Sequence, residues 1–322
     1  MSAPATFYTV SDADFFPGTV GLLNSLRLTG HREDLVVLDN GLTRNQRDRL
    51  EMHVQVVSLA NDRGQTPYGL KPYPFRCGAS GTVVVIDSDV IVTASLAPAF
   101  ALAEAGRICM FAEEDGCRAR WFAEWEHLLS LNASPRRQEY FSTGMVALST
   151  DHWPQLLERW WEACSRIPAD VAFAEHDHPL CYPDSDALNA LLMSEIPAGS
   201  VAVSPELQQT YASDAFKGGL VIADKNRLVC LNHGREVSIL HHDQRPKVWN
   251  PTGRGRLRSA DAYVRLLPRV LFADDVLLRL QAEDVPWWVR PPMSTLVIGS
   301  ERFRRRAAIR TRLVNRGGIP RQ

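Results

Sequence analysis

Residues 82–92 read Thr82-Val83-Val84-Val85-Ile86-Asp87-Ser88-Asp89-Val90-Ile91-Val92. The unbroken run of mostly β-branched apolar residues predicts a buried strand with both faces covered, as in a parallel sheet. In open α/β sheets, ligands bind just beyond the carboxyl ends of such strands, which is where Asp87 and Asp89 stand. Two carboxylates in that position suit Mg²⁺ or Mn²⁺ bound against a diphosphate. The alternative is a turn or a helix cap, because Asp-X-Asp pairs are also common there.

The segments on either side of this strand alternate between strand and helix patterns. Strand patterns occupy residues 7–10, 35–39, 54–57, 108–111, 140–148 and 237–240. Helical patterns occupy residues 20–28, 43–50 with Thr43 as the cap, 95–105, 156–164, 184–192 and part of the sequence beyond Pro251. Such alternation predicts an α/β protein with a parallel sheet.

Composition narrows the class of protein further. With 322 residues and 45% hydrophobic content, the chain can form one large α/β domain or two ordinary ones. A formal net charge of −1 gives no general attraction to nucleic acid, so no nucleic-acid partner is expected. The six cysteines form no Cys-X-X-Cys pair, so we expect free thiols. Without a secretory signal pattern or a run of about 20 apolar residues, a cytoplasmic protein is expected.

Four acidic or hydroxyl-bearing residues fit either a structural or a functional role. Asp12 and Asp14 follow the first strand, where they suit helix capping or a ligand-binding loop. Asp184 or Ser185 suits the cap of the helix that follows, and capping alone would explain these residues. The alternatives stay open on pattern alone.

The other polar and aromatic segments also fit either a structural or a functional role, with one exception. Trp121 and Trp125 are four residues apart, which favours a helix face in the core over a sugar platform. The segment Glu175-His176-Asp177-His178-Pro179 has metal-like spacing, but its composition favours a turn. The exception is the late strand, which leads into His241-His242-Asp243-Gln244-Arg245-Pro246-Lys247-Val248-Trp249. Core packing does not explain such a polar sequence.

Taken together, the blocks resemble the retaining glycosyltransferases of family 8, which include glycogenin and bacterial lipooligosaccharide galactosyltransferases. The resemblance spans roughly residues 7–250 and depends on the order of the blocks, which are Tyr8-Thr9-Val10-Ser11-Asp12, Ile86-Asp87-Ser88-Asp89-Val90, Phe141-Ser142-Thr143-Gly144, Asp184-Ser185-Asp186-Ala187-Leu188-Asn189 and His241 to Trp249. It implies a GT-A fold, in which a Rossmann-like mixed sheet flanked by helices binds a nucleotide sugar. Residues 1–250 would form this catalytic domain, and residues 251–322 a helical C-terminal extension.

The resemblance also implies roles for individual residues. The family's histidine lies six residues before a lysine and eight before a tryptophan, as His241 does before Lys247 and Trp249. The metal ligands, for Mn²⁺ or Mg²⁺, would be Asp87, Asp89 and His241. The residues that bind the donor, a UDP-sugar in most of the family, would be Thr9, Val10, Asp12, Phe15, Lys71, Ser88 and Lys247. The residues that orient the donor sugar beside the acceptor hydroxyl would be Asp184, Ser185 and Asp186.

Three positions depart from the family pattern. Ser185 replaces a glutamine whose amide lies near the reacting carbon, Ser142-Thr143 replaces Asn-Ser or Asn-Ala, and Gln244 replaces a glycine. The expected activity is transfer of a hexose, with α-configuration in the product, to a glycan, lipid-linked or small-molecule acceptor. One alternative is a binding protein that has lost turnover. A second is a sugar-phosphate nucleotidylyltransferase, although its early glycine-rich phosphate loop is missing from the sequence.

The C-terminal residues 301–322 carry eight arginines and no acid after Glu301. Such a tail fits peripheral contact with anionic lipid head groups at the inner face of a membrane, another acidic partner, or no ligand at all. The sequence predicts no oligomeric state.

Overall fold

The computed structural model describes residues 5–59, 67–113, 117–171, 175, 177–211, 219–253 and 261–291. The strands are β1 Thr6–Ser11, β2 Asp34–Asp39, β3 Gln55–Ser58, β4 Thr82–Ile86, β5 Val90–Val92, β6 Ile108–Ala112, β7 Phe141–Ser149, β8 Val201–Ala202, β9 Gln209–Tyr211, β10 Leu220–Asp224, β11 Val229–Asn232, β12 Arg235–Glu236 and β13 Ile239–His241. The helices are α1 Phe16–Leu28, α2 Arg44–Glu51, α3 Ala97–Glu104, α4 Trp125–Leu128, α5 Leu156–Ser165, α6 Pro183–Ser194 and α7 Ala262–Phe272.

A seven-stranded sheet with the order β3-β2-β1-β4-β7-β6-β8 forms the centre of the fold. The first four of these strands are parallel to one another, as the alternation of strands and helices predicts. The strand β7 runs antiparallel to both of its neighbours, β4 and β6. The parallel sheet that the alternation predicts is therefore found only in part, and the mixed sheet that the family resemblance implies is confirmed. All nine residues of β7 are buried, so its apolar sequence carries no information about its direction.

The acidic segment after β4 divides residues 82–92 between two sheets. Asp87 still donates its backbone N–H to the Gly144 carbonyl of β7, at 3.0 Å. After Ser88 and Asp89 the chain continues as β5, which belongs to a small sheet with the order β5-β13-β9. There β13 pairs antiparallel with β5, and His241 lies opposite Val90. This register brings a residue from late in the chain beside the acidic segment.

Helix starts show where local capping patterns succeed and where they fail. Thr43 caps α2 through a capping box with Gln46, which confirms the prediction. The predicted cap of α6 by Asp184 or Ser185 is wrong. That helix starts at Pro183, its N-cap residue Tyr182 makes no side-chain capping bond, and Asp184 and Ser185 lie inside the first turn. Their side chains bond instead to the Thr143 hydroxyl of β7.

The tryptophans lie mostly in the core. Trp125 is fully buried, which confirms its predicted core position, but it begins the short helix α4, and Trp121 lies before that helix rather than on a shared face. The indole of Trp121 donates to the Pro135 carbonyl at 2.9 Å. On α5, Trp160 and Trp161 are buried with the rest of the predicted apolar face.

The segment from 261 to 291 packs on the α1 side of the sheet. The apolar face of α7 joins the same buried cluster as α1, and Asn24 of α1 ties the two regions together. Its amide donates to the carbonyls of Val270 (2.6 Å) and Leu278 (2.8 Å) and accepts from the Leu278 N–H (3.0 Å). The boundary at 250/251 stays a prediction, and the arginine-rich residues 301–322 lie outside the described residues. No helix within the described ranges has the length and apolarity needed to cross a membrane.

Replacing Asn24 with alanine tests whether the C-terminal segment is part of the main core. Three backbone groups would lose a buried partner, so Asn24→Ala is expected to lower the free energy of unfolding by about 3 kcal/mol. Urea denaturation measures this change. The control is Asn45→Ala on the exposed face of α2, which should leave stability nearly unchanged. Equal stability of both variants would show that α7 docks independently of Asn24.

Candidate metal and nucleotide site

Asp87, Asp89 and His241 converge at the end of β4. The Nε2 atom of His241 lies 3.2 Å from an Asp89 carboxylate oxygen and 3.5 Å from one of Asp87. One ligand atom from each residue can be chosen so that all three lie within 4.8 Å of one another, and no other such cluster occurs in the described part of the chain. Two carboxylates and one imidazole suit Mn²⁺ and, less well, Mg²⁺, which prefers oxygen ligands. The donor set therefore fits the metal that the family resemblance implies.

The two neighbouring histidines of the late strand point to different places. His242 is buried behind the site, with its ring 5.1 Å from that of Tyr263 and 5.8 Å from that of Trp249. Burial, and then the nearby Lys247 charge, lower its pKa to about 4, so it is neutral at physiological pH. Because side chains alternate along a strand, His241 points toward Asp87 and Asp89, whereas His242 points into the core.

Two lysines neutralise the acidic cluster. The ammonium of Lys71 lies 2.6 Å from Asp87 and 2.6 Å from Asp184, and so bridges the end of β4 to the start of α6. The ammonium of Lys247 lies 2.5 Å from Asp89 and also donates to the His242 carbonyl. Both predicted diphosphate-binding lysines are therefore ion-paired with carboxylates of the site. The family resemblance alone did not indicate these pairings.

The same charges determine the protonation of the cluster. Burial would raise the pKa of Asp89, but Lys247 and then His241 outweigh burial and hold that pKa well below its usual range. For Asp87, burial outweighs the effect of Lys71, and the pKa is raised. Burial would lower the pKa of Lys71, yet Asp184 and then Asp87 raise it. The two acids differ because Asp89 has Lys247 to itself, whereas Asp87 shares Lys71 with Asp184.

A cavity of about 260 Å³ opens beside the acidic cluster. Its lining residues are Val10, Ser11, Asp12, Asp14, Phe15, Tyr68, Lys71, Asp87, Ser88, Asp89 and Arg245. Five of the seven predicted donor-binding residues are therefore on its wall, namely Val10, Asp12, Phe15, Lys71 and Ser88, and Lys247 lines the adjoining cavity described below. Thr9 is not on this wall, because it is buried in β1, and its hydroxyl has no hydrogen-bond partner within the described residues.

The loop after β1 owes its shape to Asp12. One carboxylate oxygen accepts the backbone N–H groups of Asp14 and Phe15, each at 2.9 Å. These bonds fix the loop that lines the cavity and do not cap α1, whose N-cap residue Phe15 makes no side-chain capping bond, so the helix-cap alternative for Asp12 is wrong.

Sequence reasoning missed two residues at the mouth of this cavity. The guanidinium of Arg245 lies 5.1 Å from the Tyr68 ring and 5.9 Å from the Phe15 ring, which are cation–π distances. Arg245 stands inside the polar segment 241–249, so its position next to His241 was a usable signal. Tyr68 lies in a Gly- and Pro-containing stretch that gives no pattern.

A second cavity of about 200 Å³ adjoins the first and shares Tyr68, Lys71, Asp87, Asp89 and Arg245 with it. Asp184 and Ser185 line it, as does Thr143, whose hydroxyl lies 2.7 Å from Asp184 and 2.5 Å from Ser185. These two predicted sugar-orienting residues therefore face the space next to the metal ligands.

Asp186 lies elsewhere, below the wall of this cavity. Its side chain is fully buried, pairs with Arg120 at 2.6 Å, and accepts from the Tyr140 hydroxyl at 2.9 Å. It also accepts the Tyr182 N–H at the start of α6. The structure therefore gives Asp186 a role in holding α6, and we do not include it among the donor-orienting residues below.

Two tryptophans fix the segment that carries Lys247. The Trp249 indole donates to the Asp14 carbonyl at 2.8 Å, and the Trp288 indole donates to the Val248 carbonyl at 2.9 Å. Gly18 permits the close approach, because a Cβ atom there would lie 2.6 Å from the Ser88 carbonyl oxygen. The β1 loop, the acidic segment and the Lys247 segment thus form one packed unit.

Of the histidines in residues 175–179, the structure describes only His178, which does not join the site. His178 accepts the Leu180 N–H through its ring at 3.1 Å, as expected of a turn, and His176 lies outside the described residues. All six cysteines are free, as predicted.

Removing the Lys71 charge tests how strongly the acids depend on it. In Lys71→Met, Asp87 and Asp184 lose their shared cation, so the free energy of unfolding in chelator should fall by about 3–5 kcal/mol. Mn²⁺ should restore part of this loss because it neutralises Asp87. Chemical denaturation with and without Mn²⁺ measures both effects, with the exposed Lys225→Met as control. A Lys71→Met variant as stable as the control would contradict this account of the charges.

The structure is similar to solved structures of glycosyltransferases. The galactosyltransferase LgtC, solved in complex with donor and acceptor sugar analogues, is 13% identical, with a TM-score of 0.51 over 84% of this chain and 98% of LgtC. An active-site variant of LgtC gives 14% identity and the same TM-score of 0.51. The bifunctional glycosyltransferase WbbM is 16% identical, with a TM-score of 0.53 over 86% of this chain and 50% of WbbM. No family model and no curated protein sequence matches the chain. The seven-stranded mixed sheet, with its acidic segment at the end of β4, therefore has the GT-A fold of these glycosyltransferases.

Proposed function

We propose that this protein is a metal-dependent retaining glycosyltransferase that moves a hexose from a nucleotide sugar, a UDP-sugar, to an acceptor hydroxyl. The observation that carries the proposal is the convergence of Asp87, Asp89 and His241 beside two cavities that both reach the cluster. The GT-A fold and the family resemblance support it. In this reading the first cavity takes the nucleoside and the second takes the sugar.

The chemistry requires stabilisation of opposite charges. When the bond between the anomeric carbon and the diphosphate breaks, negative charge develops on the diphosphate and positive charge on the sugar ring. A divalent cation held by Asp87, Asp89 and His241 would act as a Lewis acid on the departing diphosphate. The remaining contributions come from side chains of the chain itself.

We expect Lys247 to stabilise the negative charge that develops on the departing diphosphate. Its ammonium lies 2.5 Å from Asp89, so it can exchange that carboxylate for a phosphate oxygen with a small movement. A buried cation next to a developing anion is more effective than one in water, because the local dielectric constant is low. Arg245 at the mouth of both cavities adds a further positive charge next to the nucleoside.

Asp184 and Ser185 are proposed to orient the donor sugar. Asp184 is fixed by Lys71 and by the Thr143 hydroxyl, and Ser185 by the same hydroxyl. A carboxylate and a hydroxyl held in this way present acceptor and donor groups to sugar hydroxyls at fixed positions. Retention of configuration, the acceptor and membrane contact through residues 301–322 stay proposals from the sequence.

A nucleotide-sugar-binding protein without turnover is the second candidate. The observation that favours it is the short hydroxyl of Ser185, where the family pattern places a glutamine amide near the reacting carbon. Thermal-shift screening against UDP-, GDP- and dTDP-sugars, with and without Mn²⁺, identifies the donor because a ligand that binds the native state raises the melting temperature. Release of the nucleoside diphosphate from that donor then separates an enzyme from a binding protein. A screen in which no nucleotide sugar shifts the melting temperature in the presence of Mn²⁺ would contradict both candidates.

Asp89→Asn tests the metal role in turnover. The variant keeps the shape of the side chain but removes the charge, so Mn²⁺-dependent release of the nucleoside diphosphate should fall by about 10²-fold or more. The assay is chromatographic measurement of that product over a Mn²⁺ titration. Asp48→Asn, at an exposed position on α2, is the matched control and should retain full activity. Unchanged turnover in Asp89→Asn would refute the assigned role.

A further inference from the structure

Two buried polar side-chain atoms lie behind the metal ligands. The Nδ1 atom of His241 and the Oε1 atom of Gln209 are both buried, and neither has a hydrogen-bond partner among the described residues. Both border Gly144, where an added Cβ atom would lie 2.9 Å from Nδ1 and 3.2 Å from Oε1. The space between a potential N–H donor and a carbonyl acceptor is thus kept open by the absence of a side chain at Gly144.

The pairing of β9 with β13 places these residues together. The two strands are parallel, with Gln209 opposite Ile239 and Tyr211 opposite His241. Because side chains alternate along a strand, Gln209 and Tyr211 project on the same side as His241. The Tyr211 ring covers the imidazole, with the ring centres 5.3 Å apart. Gln209 therefore faces the edge of the imidazole, while Tyr211 packs on its face.

A chain of hydrogen bonds fixes which end of the Gln209 amide faces the histidine. The Gln209 Nε2 atom lies 3.2 Å from the Ser142 hydroxyl, which is 2.9 Å from the Tyr211 hydroxyl, and that hydroxyl is 3.0 Å from a Glu113 carboxylate oxygen. Glu113 can only accept, so Tyr211 donates to Glu113 and accepts from Ser142, and Ser142 accepts from the Gln209 N–H. The Gln209 carbonyl oxygen is therefore the end of the amide that is left without a partner, beside Gly144.

We propose that Gln209 is a positioning residue for the metal ligand His241, an inference that rests on the proposed metal site. The Gln209 Oε1 atom and the His241 Nδ1 atom do not hydrogen-bond to each other in the structure. When a metal ion is bound at Nε2, the Gln209 carbonyl oxygen would accept the proton on Nδ1, and the lone pair of Nε2 would be directed toward the ion. A histidine that binds a metal needs such an acceptor for its other nitrogen, because the acceptor fixes both the tautomer and the angle of the ring. The series Glu113, Tyr211, Ser142 and Gln209 thus orients the imidazole.

This role also gives a reason for Ser142. The family pattern has an asparagine at this position, whereas here a single hydroxyl must both accept from Gln209 and donate to Tyr211. A hydroxyl has one donor and two acceptor sites, so it can relay the direction of the bonds from the amide to Glu113. In this proposal, Ser142 replaces the asparagine of the family pattern because its hydroxyl connects Gln209 to Tyr211 behind the metal ligands.

Mn²⁺ affinity, measured by electron paramagnetic resonance titration of the full-length protein, is the first test. Gln209→Met keeps the size of the side chain but removes the acceptor, and should weaken Mn²⁺ binding by about 10- to 100-fold. Gln209→Glu keeps an oxygen acceptor and should recover most of the affinity. Gln208→Met, at the preceding position, is the matched control and should bind Mn²⁺ like the wild type. Wild-type affinity in Gln209→Met, or an equal loss in Gln208→Met, would overturn the proposal.

The tautomer of His241 with a diamagnetic ion bound is the second test. Nitrogen-15 spectra of histidine-labelled protein with Zn²⁺, which accepts carboxylate and imidazole ligands, should show Nδ1 protonated and hydrogen-bonded in the wild type and this signature lost in Gln209→Met. An Nδ1 signal unchanged by Gln209→Met would overturn the proposal. If the wild type binds neither ion, the proposed metal site fails together with this inference, whereas wild-type binding that Gln209→Met leaves unchanged contradicts this inference alone.

Discussion

The placement of two carboxylates at the end of a central strand, Asp89 buried and Asp87 partly buried, is the constraint on which the rest of the structure depends. Asp87 and Asp89 lie where water cannot fully solvate them, and an unpaired buried charge costs several kcal/mol. The chain meets this cost with Lys71, Lys247 and His241. These cations come from separate segments, so neutralising the acids requires the first sheet, the loop before β4 and the late strand to be in place together.

The same requirement links stability to the proposed function. The carboxylates of the site are already paired with lysines and with His241. A metal ion that binds the carboxylates, or a phosphate that binds a lysine, therefore replaces one ion pair with another. Such an exchange keeps the desolvation cost of binding low, because the lysines are already buried. The tryptophan bonds from Trp249 and Trp288 hold the Lys247 segment in place, and in our proposal Gln209 does the same for the imidazole.

Much of the first half of the fold could be predicted from the sequence, because its signals are local. Apolar runs mark β1, β2 and β4, and the Thr43 cap marks α2. The direction of β7 could not be predicted, since a strand buried on both faces has the same composition in either direction. The start of α6 was misplaced because a capping pattern competes with tertiary bonds that the sequence does not display, such as Asp186 to Arg120.

Some residues of the candidate site could also be predicted from the sequence, whereas others could not. Asp87, Asp89 and His241 could be identified from the sequence because they directly follow apolar strand patterns, where core packing does not explain a polar or charged side chain. The bridge from Lys71 to Asp184 and the contact of Arg245 with Tyr68 could not be found, because they join segments with no fixed spacing. Order along the chain therefore identified the ligands, whereas the groups that neutralise and orient them required three-dimensional information.

Anomalous diffraction at the manganese edge, from crystals grown with Mn²⁺ and UDP, locates the ion and shows which side chains bind it. We expect one manganese peak bonded to Asp87, Asp89 and Nε2 of His241, with the Lys247 ammonium moved from Asp89 to a phosphate oxygen. A manganese ion bound away from these three side chains, or a UDP molecule whose phosphates leave Lys247 paired with Asp89, would contradict the roles proposed for these residues.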